Sequence, residues 1–478
     1  MPDHPAICWF RRDLRLADNA ALTIAAGSGR PVICVYILDD ETPGEWRMGG
    51  ASRWWLHKSL EALDADLRKR HNRLILRRGR ADKAISDLVA ETGAEAVFWN
   101  RIYDPAEMER DRRIKAALKD RSLQAESFPG NLAHEPWVLR TGNDGPYRVF
   151  SPFRKALLAL DPPGAPLRPP KGVGVPENWP ESDELDDWNL LPVKPDWAGG
   201  LRESWTPGEA GAMARFEAFI EEGLDDYAKG RDHPAKPNVS RLSPHLHFGE
   251  ISVRQLWAKM DWLEDQGTAS VGKFRSEVIW REFSHHLLFH YPDLPERNWR
   301  EQFNDFPWRD YPEGLKAWQR GMTGYPLVDA GMRELWHTGY MHNRVRMVAA
   351  SFLIKHLLIH WKRGEEWFWD TLVDADLPNN AASWQWVAGS GADAAPYFRI
   401  FNPIKQGQDY DAKGGYIRRW VPELAELSDR SLHEPWNASE AELESAGVRL
   451  GETYPERIVD HAGARKRALT AYEEIRRG

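Results

Sequence analysis

Only two cysteines occur in 478 residues, which excludes a disulfide framework and an iron–sulfur site on count alone. Cys8 in AICWF and Cys34 in PVICVYIL sit inside apolar strand-like runs, where buried, inert thiols are expected. No apolar run is long enough to span a bilayer, and MPDHPAICWFRRDLRL lacks the basic-then-apolar layout of a signal peptide, so a cytoplasmic protein is expected. The dinucleotide fingerprint G-x-G-x-x-G is missing after the first strand-like run. GSGR at 27–30 ends a helical pattern and precedes a strand, which makes it a helix C-cap and turn. Internal repeats and low-complexity tracts are absent too. The net charge of −8 excludes a protein that coats nucleic acid non-specifically, but a local basic patch stays open.

What the chain has in quantity is tryptophan, 24 residues, with many in the C-terminal half, more than packing alone requires. The length predicts two domains. Residues 5–10, 31–38, 73–77, 95–99 and 123–127 read as short apolar strands. Helical patterns over 17–26, 51–69, 81–91 and 105–118 alternate with them. That alternation predicts a Rossmann-like α/β domain with a parallel five-stranded sheet over 1–131. From 161 to about 210 the chain is rich in Pro and Gly, as expected of a long connection wrapped over the surface, so 132–210 is assigned as a linker. Residues 211–478 read as helix after helix, an all-α second domain.

Four segments of that half place polar groups beside aromatic or aliphatic ones: NVSRLSPHLHFGEIS (238–252), FRSEVIWREF (274–283), TGYMHNRVRMVAASFL (338–353) and DADLPNNAASWQW (374–386). Carboxylates, amides and tryptophans this dense are costly to bury unless something polar packs against them. Glu277 and Arg281 share a helix face, and taken alone a surface salt bridge explains them. His245, His247, His285, His286 and His290 fall short of a ligand set, because His285 and His286 point apart on a helix. Helix-surface or packing histidines are expected there, and no metal.

WFRRDLRLADNAAL, TGYPLVDAGMR, GYMHNRVRM and DADLPNNAASWQWVAGSGADAAPYFRIFNP together resemble the signature blocks of the photolyase/cryptochrome family, in the family's order and through most of the chain. Within the family the chain is most similar to class I/III-type cyclobutane pyrimidine dimer photolyases. The resemblance implies an α/β antenna domain, a linker and a helical domain holding FAD. Carried over by motif position, Tyr227, Ser240, Leu242 and Ser243 would line the FAD phosphates with Arg281 close by, although Val239 stands where some relatives have a hydroxyl residue. Arg346 and Asp374 would form an ion pair beside the flavin, Asp376 would accept from the ring edge, and Asn380 would face N5. Trp384, Trp361 and Trp308 would relay electrons from flavin to surface. Trp280 and Trp386 would flank a flipped-out lesion, with Glu277 bonded to the pyrimidine edge, Asn343 in support and Met347 beside it. Arg344 and Arg399 would meet the phosphates around the lesion.

The implied reaction is light-driven: excited, reduced FAD gives an electron to the dimer in UV-damaged DNA, the cyclobutane ring splits and the electron returns. Relatives that repair (6-4) photoproducts carry His at the positions of Asn343 and Met347, so dimer repair is expected over (6-4) repair. A cryptochrome-type photoreceptor is the alternative. The chain closes on ARKRALTAYEEIRRG without a long tail, and it keeps Glu277, Trp280, Asn343, Met347 and Trp386 together. Both features favour repair. A relative restricted to single-stranded DNA stays open. Glu107 falls where folate-binding relatives have a Glu, though their neighbouring Asn is Ala106 here. A methenyltetrahydrofolate antenna is therefore expected first and a deazaflavin second. A monomer suffices.

Overall fold

Five runs of β-branched and aromatic residues pair side by side in the computed structural model, which describes residues 4–393 and 398–477. The AAPY part of the last signature block thus lies outside the described residues. The strands are β1 (Ala6–Phe10), β2 (Val32–Leu38), β3 (Leu74–Arg78), β4 (Ala96–Asn100) and β5 (Gln124–Phe128), in the order β3-β2-β1-β4-β5, with every pairing parallel. Parallel neighbours need crossovers, supplied by α1 (Ala20–Gly27), α2 (Gly50–Arg68), α3 (Ala81–Thr92) and α4 (Pro105–Asp120). Successive strand residues point to opposite faces. Ala6, Cys8 and Phe10 join a core with Trp54 and Trp55 of α2, while Ile7 and Trp9 join another with Ile85 of α3 and Ile114 of α4. Both cysteines are buried free thiols. The first helix starts three residues later than the periodicity predicts. The Asn19 side chain accepts from Leu22 N at 3.0 Å and fixes the N-cap there, and Asp18 before it has a positive φ.

The Pro/Gly-rich connection runs over the surface, as expected, but it is not loose. Gly174 O accepts from Val32 N at 3.0 Å and Leu76 O from Asp183 N at 2.9 Å, while Val173, Trp188 and Leu190 enter the sheet's core. Short helices form within the stretch assigned as linker, α5 (Phe150–Leu157) and α6 (Gly199–Ser204).

Beyond it come α7 (Glu209–Glu222), α8 (Tyr227–Gly230), α9 (Ser243–His247), α10 (Val253–Asp265), α11 (Val271–His290), α12 (Pro312–Gln319), α13 (Pro326–Thr338), α14 (Asn343–Ser351), α15 (Trp361–Thr371), α16 (Leu377–Ala388), α17 (Pro403–Tyr410), α18 (Gly415–Trp420), α19 (Glu440–Ser445) and α20 (His461–Arg477). One turn of π-helix (Phe352–His356) extends α14. Among the described residues of this half, the β-structure is a single bridge, Leu450 to Tyr454. No helix among them is long and apolar enough to cross a membrane.

The segment after β1 clasps the two halves. Leu14 N donates to Phe248 O at 3.1 Å, buried Arg15 donates to Gly249 O at 2.7 Å, and Arg254 pairs with Asp18 at 2.5 Å. Gly249 has a φ of +66°, and a Cβ there would overlap the Arg12 carbonyl, so only glycine permits this approach. The WFRRDLRL block thus acts mainly as the junction between the two halves.

Candidate active site

Three helices meet through two adjacent residues. Arg231 and Asp232 follow α8. Arg231 pairs with Glu277 of α11 and lies over the Tyr227 ring, and Asp232 pairs with Arg344 of α14 at 2.9 Å. Glu277 also takes Lys273, one turn back, at 2.9 Å. The expected Glu277–Arg281 surface pair does not form. Arg281 turns instead to the Asn131 backbone and side-chain oxygens, because the chain leaving β5 passes there and offers acceptors that a buried guanidinium needs. Arg344, expected at the phosphates, has its guanidinium paired with Asp232 and 4.4 Å over the Tyr410 ring. Asn343 and Arg399 are exposed, and Met347 is half-buried.

Trp280, on α11, stacks flat against Phe150 of α5, with ring centroids 3.6 Å apart and planes 6° apart. A stacked partner on one face fixes the plane of the indole. Trp386 is half-buried on α16, which packs directly against α11, and both indoles rest on the same core.

A second cluster gathers around Asp374. Its carboxylate takes Arg346 at 2.9 and 3.1 Å and the Ser243 hydroxyl at 2.6 Å. Arg346 lies 5.0 Å over the Tyr340 ring, and Arg241 lies over both Tyr340 and Trp205. Leu242 is buried. The Ser240 hydroxyl accepts from Leu242 N at 3.4 Å, and the Ser240 and Val239 carbonyls accept from Arg215.

Asp376 sits deeper. It accepts from His247 at 3.2 Å and from Asn379, with His285 at 3.9 Å. Burial opposes its charge, but the His285 and His247 rings and the Arg281 guanidinium outweigh that and hold it well below the usual carboxylate range. The five histidines are packing groups, and His245, His247, His285 and His286 are fully buried where a surface position was also open. His245 meets Glu250 at 2.5 Å. Their neighbours are the domain junction and α16, hidden from a reading of helix periodicity.

Asn380 donates to the Glu365 carbonyl at 3.1 Å and leaves its side-chain oxygen uncommitted. Beside it, the Glu365 carboxyl group is buried with neither oxygen bonded, and burial raises its pKa well above the ordinary value. Arg241 Nε and Arg344 Nε are likewise buried without a partner. Each such atom costs about 1–3 kcal/mol unless a ligand meets it. The unpaired Arg241 donor, across Tyr340 from the Arg346–Asp374 pair, and the unpaired carboxyl group beside Asn380 fit a large polar cofactor that is anionic at one end and a hydrogen-bonding ring at the other. FAD has that chemistry.

The three tryptophans grade from inside to outside. Trp384 and Trp361 are buried and Trp308 is half-buried. Trp384 abuts Gly364, one turn beyond Trp361 on α15. Trp361 donates to Asn298 at 2.9 Å, and Trp308 packs on His360, the residue before Trp361, at 4.9 Å.

A model of the DNA photolyase family matches residues 6–171, and a model of the FAD binding domain of DNA photolyase matches 274–474. The chain belongs to the photolyase family. A deoxyribodipyrimidine photo-lyase of Agrobacterium fabrum is 54% identical over 99% of this chain and 98% of its own length. The crystal structure of a bacterial class III photolyase from Agrobacterium tumefaciens superposes with a TM-score of 0.97 at 53% identity, covering 100% of this chain and 99% of that one. Cryptochrome-1 of Arabidopsis thaliana is 39% identical over 96% of this chain and 69% of its own length.

For a photolyase, sequence reading missed Phe150, Arg231, Asp232, Arg241 and Glu365. Arg241 stands inside the NVSRLSPHLHFGEIS segment and could have been weighed with it. The others carry no local signal, because their roles come from helices far apart in the chain. Glu107 was expected at an antenna, but its carboxylate is paired with Arg12 at 3.0 Å and Arg110 at 3.6 Å.

Proposed function

We propose that this photolyase is a deoxyribodipyrimidine photo-lyase that repairs cyclobutane pyrimidine dimers in UV-damaged DNA, in a division into an antenna domain (1–131), a linker (132–210) and a catalytic domain (211–478). The observation that supports this reading is the packing of α11, which carries Glu277 and Trp280, on α16, which carries Asn380 and Trp386. Bound reduced FAD would supply the electron that light sends to the dimer. The residues do the rest. Tyr227, Ser240, Leu242 and Ser243 would line the cofactor's phosphates with Arg281 close by, and the Arg346–Asp374 ion pair would sit beside the flavin. Asp376 and Asn380 would address the ring. Trp280, held flat by Phe150, and Trp386 would wall the extruded bases, returning about 1–3 kcal/mol per stacked base against the cost of unstacking.

Glu277 would accept from the pyrimidine edge. Arg231 keeps it aimed, and Asn343 and Met347 would complete the pocket. Arg399 remains an exposed cation for backbone phosphate, while Arg344 acts by holding Asp232. Dimer repair is favoured over (6-4) repair by Asn343 and Met347, which stand where (6-4) relatives carry His, and the neighbouring His342 is committed to the fold. Its ring accepts from Arg344 N at 3.2 Å to cap α14, and burial keeps it neutral down to about 4, so it cannot serve as an acid at neutral pH. Trp384, Trp361 and Trp308 would carry electrons inward to restore the reduced cofactor.

An antenna chromophore belongs to the same reading, a methenyl folate before a deazaflavin. Glu107 is committed to Arg12 and Arg110 and would not be its anchor, so the absorbance of purified protein decides it. The photoreceptor alternative shares the flavin and the tryptophans. Illumination of the reduced protein with dimer-containing and (6-4)-containing oligonucleotides separates the readings: recovery of pyrimidine absorbance on the dimer alone is expected, and none on either substrate would favour the receptor.

A further inference from the structure

Among the described residues, the buried Asp376 carboxylate receives one side-chain donor on each oxygen. His247 Nδ1 donates to Oδ1 at 3.2 Å, and the Asn379 side chain donates to Oδ2. Asp376 is the N-cap of α16, where a carboxylate ordinarily accepts from the free N–H groups of its own helix, yet it makes no such bond. Pro378, in the first turn, has no N–H to offer. The two donors therefore fix the plane of a carboxylate that its own helix backbone leaves free. A carboxylate has about four acceptor sites, so room remains for a third donor.

The other charged groups that face Asp376 do not bond it. Arg12, in the segment after β1, is committed to Asp104 at 2.7 Å and Glu107 at 3.0 Å. Arg281 of α11 is committed to Asn131. His285 of α11 spends its Nδ1 proton on the Arg281 carbonyl at 3.0 Å, so the neutral ring turns a bare Nε2 toward Asp376, 3.9 Å away. Burial holds the His285 pKa down to about 4. Burial lowers that of His247 too, which favours the neutral ring.

Packing does not exhaust what His247 does. A neutral donor fixes a carboxylate in place without cancelling its charge, whereas a bonded guanidinium would do both. An anion held against a flavin ring repels an electron added to the ring, and each hydrogen bond the anion accepts damps that repulsion.

We propose that His247 and Asn379 are positioning residues that clamp Asp376 at the flavin ring edge and ease the ring's reduction, an inference that rests on the role given to Asp376 above. The clamp also ties that edge to the domain junction, because His247 directly precedes Phe248, whose carbonyl accepts from Leu14 N at 3.1 Å.

Redox titration of the purified flavoprotein in the dark, followed by flavin absorbance, tests the clamp. Asn379→Ala, at a half-buried position in the first turn of α16, and His247→Leu each remove one donor. Each is expected to shift the flavin about tenfold toward its oxidised form at a fixed potential, while His247→Asn, which keeps an N–H near the place of Nδ1, stays within about twofold of the unaltered protein. In an Asp376→Asn background neither Asn379→Ala nor His247→Leu adds anything, because the charge they damp is gone. Residues that served the fold alone would change the melting temperature and leave the redox equilibrium where it was. If His247→Leu does not retain flavin, Asn379→Ala with and without Asp376→Asn decides the matter. A redox equilibrium that Asp376→Asn shifts, but that Asn379→Ala and His247→Leu leave unchanged, overturns the clamp and spares the reading of Asp376. If Asp376→Asn has no effect either, Asp376 does not meet the ring and both fall together.

Discussion

Gly364 and Trp384 touch so closely that a Cβ on the glycine would overlap the Cη2 atom of the indole. The glycine lies within α15, where alanine would ordinarily be preferred by about 1 kcal/mol. Helix propensity and indole packing therefore oppose each other at this position, and packing has prevailed. Gly364→Ala is expected to lower stability by about 1–3 kcal/mol through overpacking. It should also slow photoreduction of oxidised flavin, because Trp384 must move. A raised melting temperature with unchanged photoreduction would show that Trp384 is not seated as described.

The outermost tryptophan gives a cleaner separation. Trp308 is half-buried against His360 and Phe306. Trp308→Phe keeps the packing and removes the readily oxidised indole. Photoreduction should drop by at least about tenfold, while chemically pre-reduced enzyme repairs at the wild-type rate. Loss of both activities together would remove Trp308 from the relay and make it structural.

Strand positions were legible to within a residue, since buried parallel strands are continuous apolar runs and Val32–Leu38 is one from end to end. Trp384, Trp386 and the Asp374–Asn380 cluster stood out together because they share one contiguous block. What the sequence hid was pairing across distance. Glu277 looked matched to Arg281 by helical spacing, but the nearer cation in space is Arg231, forty-six residues upstream, just past the end of α8. Phe150 looked like linker, yet it sets the plane of Trp280. Side-chain partners in an all-α half are chosen by helix packing, which local periodicity does not encode.

Arg231 should therefore matter to substrate binding without touching substrate in its own right. Glu277→Gln removes a charged acceptor and should weaken dimer binding by about 1.5–3 kcal/mol, roughly 10- to 100-fold in Kd. Arg231→Met leaves Glu277 to Lys273 alone and should weaken it several-fold. The double variant should lose little more than Glu277→Gln does. Affinities for dimer-containing and undamaged DNA, measured in the dark, give the cycle. Strictly additive losses would mean that Arg231 acts independently of Glu277.

Acid stability should be set by buried neutral histidines before the carboxylates are reached. His286 donates from one ring nitrogen to the Pro136 carbonyl at 3.1 Å and accepts Tyr147 N–H on the other at 3.0 Å, so only the neutral ring satisfies both partners. Burial, with His290 adding to it, holds its pKa down to about 4. The unfolded chain takes up the proton near 6.5, so between that pH and about 4 the unfolded state binds more protons and stability falls as pH falls. The slope from one such group is at most about 1.4 kcal/mol per pH unit. His286→Gln keeps one donor and one acceptor and removes the titration. Urea unfolding at intervals across that window should show a shallower decline in the variant, by about 1 kcal/mol per unit. Identical slopes would mean that His286 accepts a proton in the folded protein, which requires the Tyr147 contact to open.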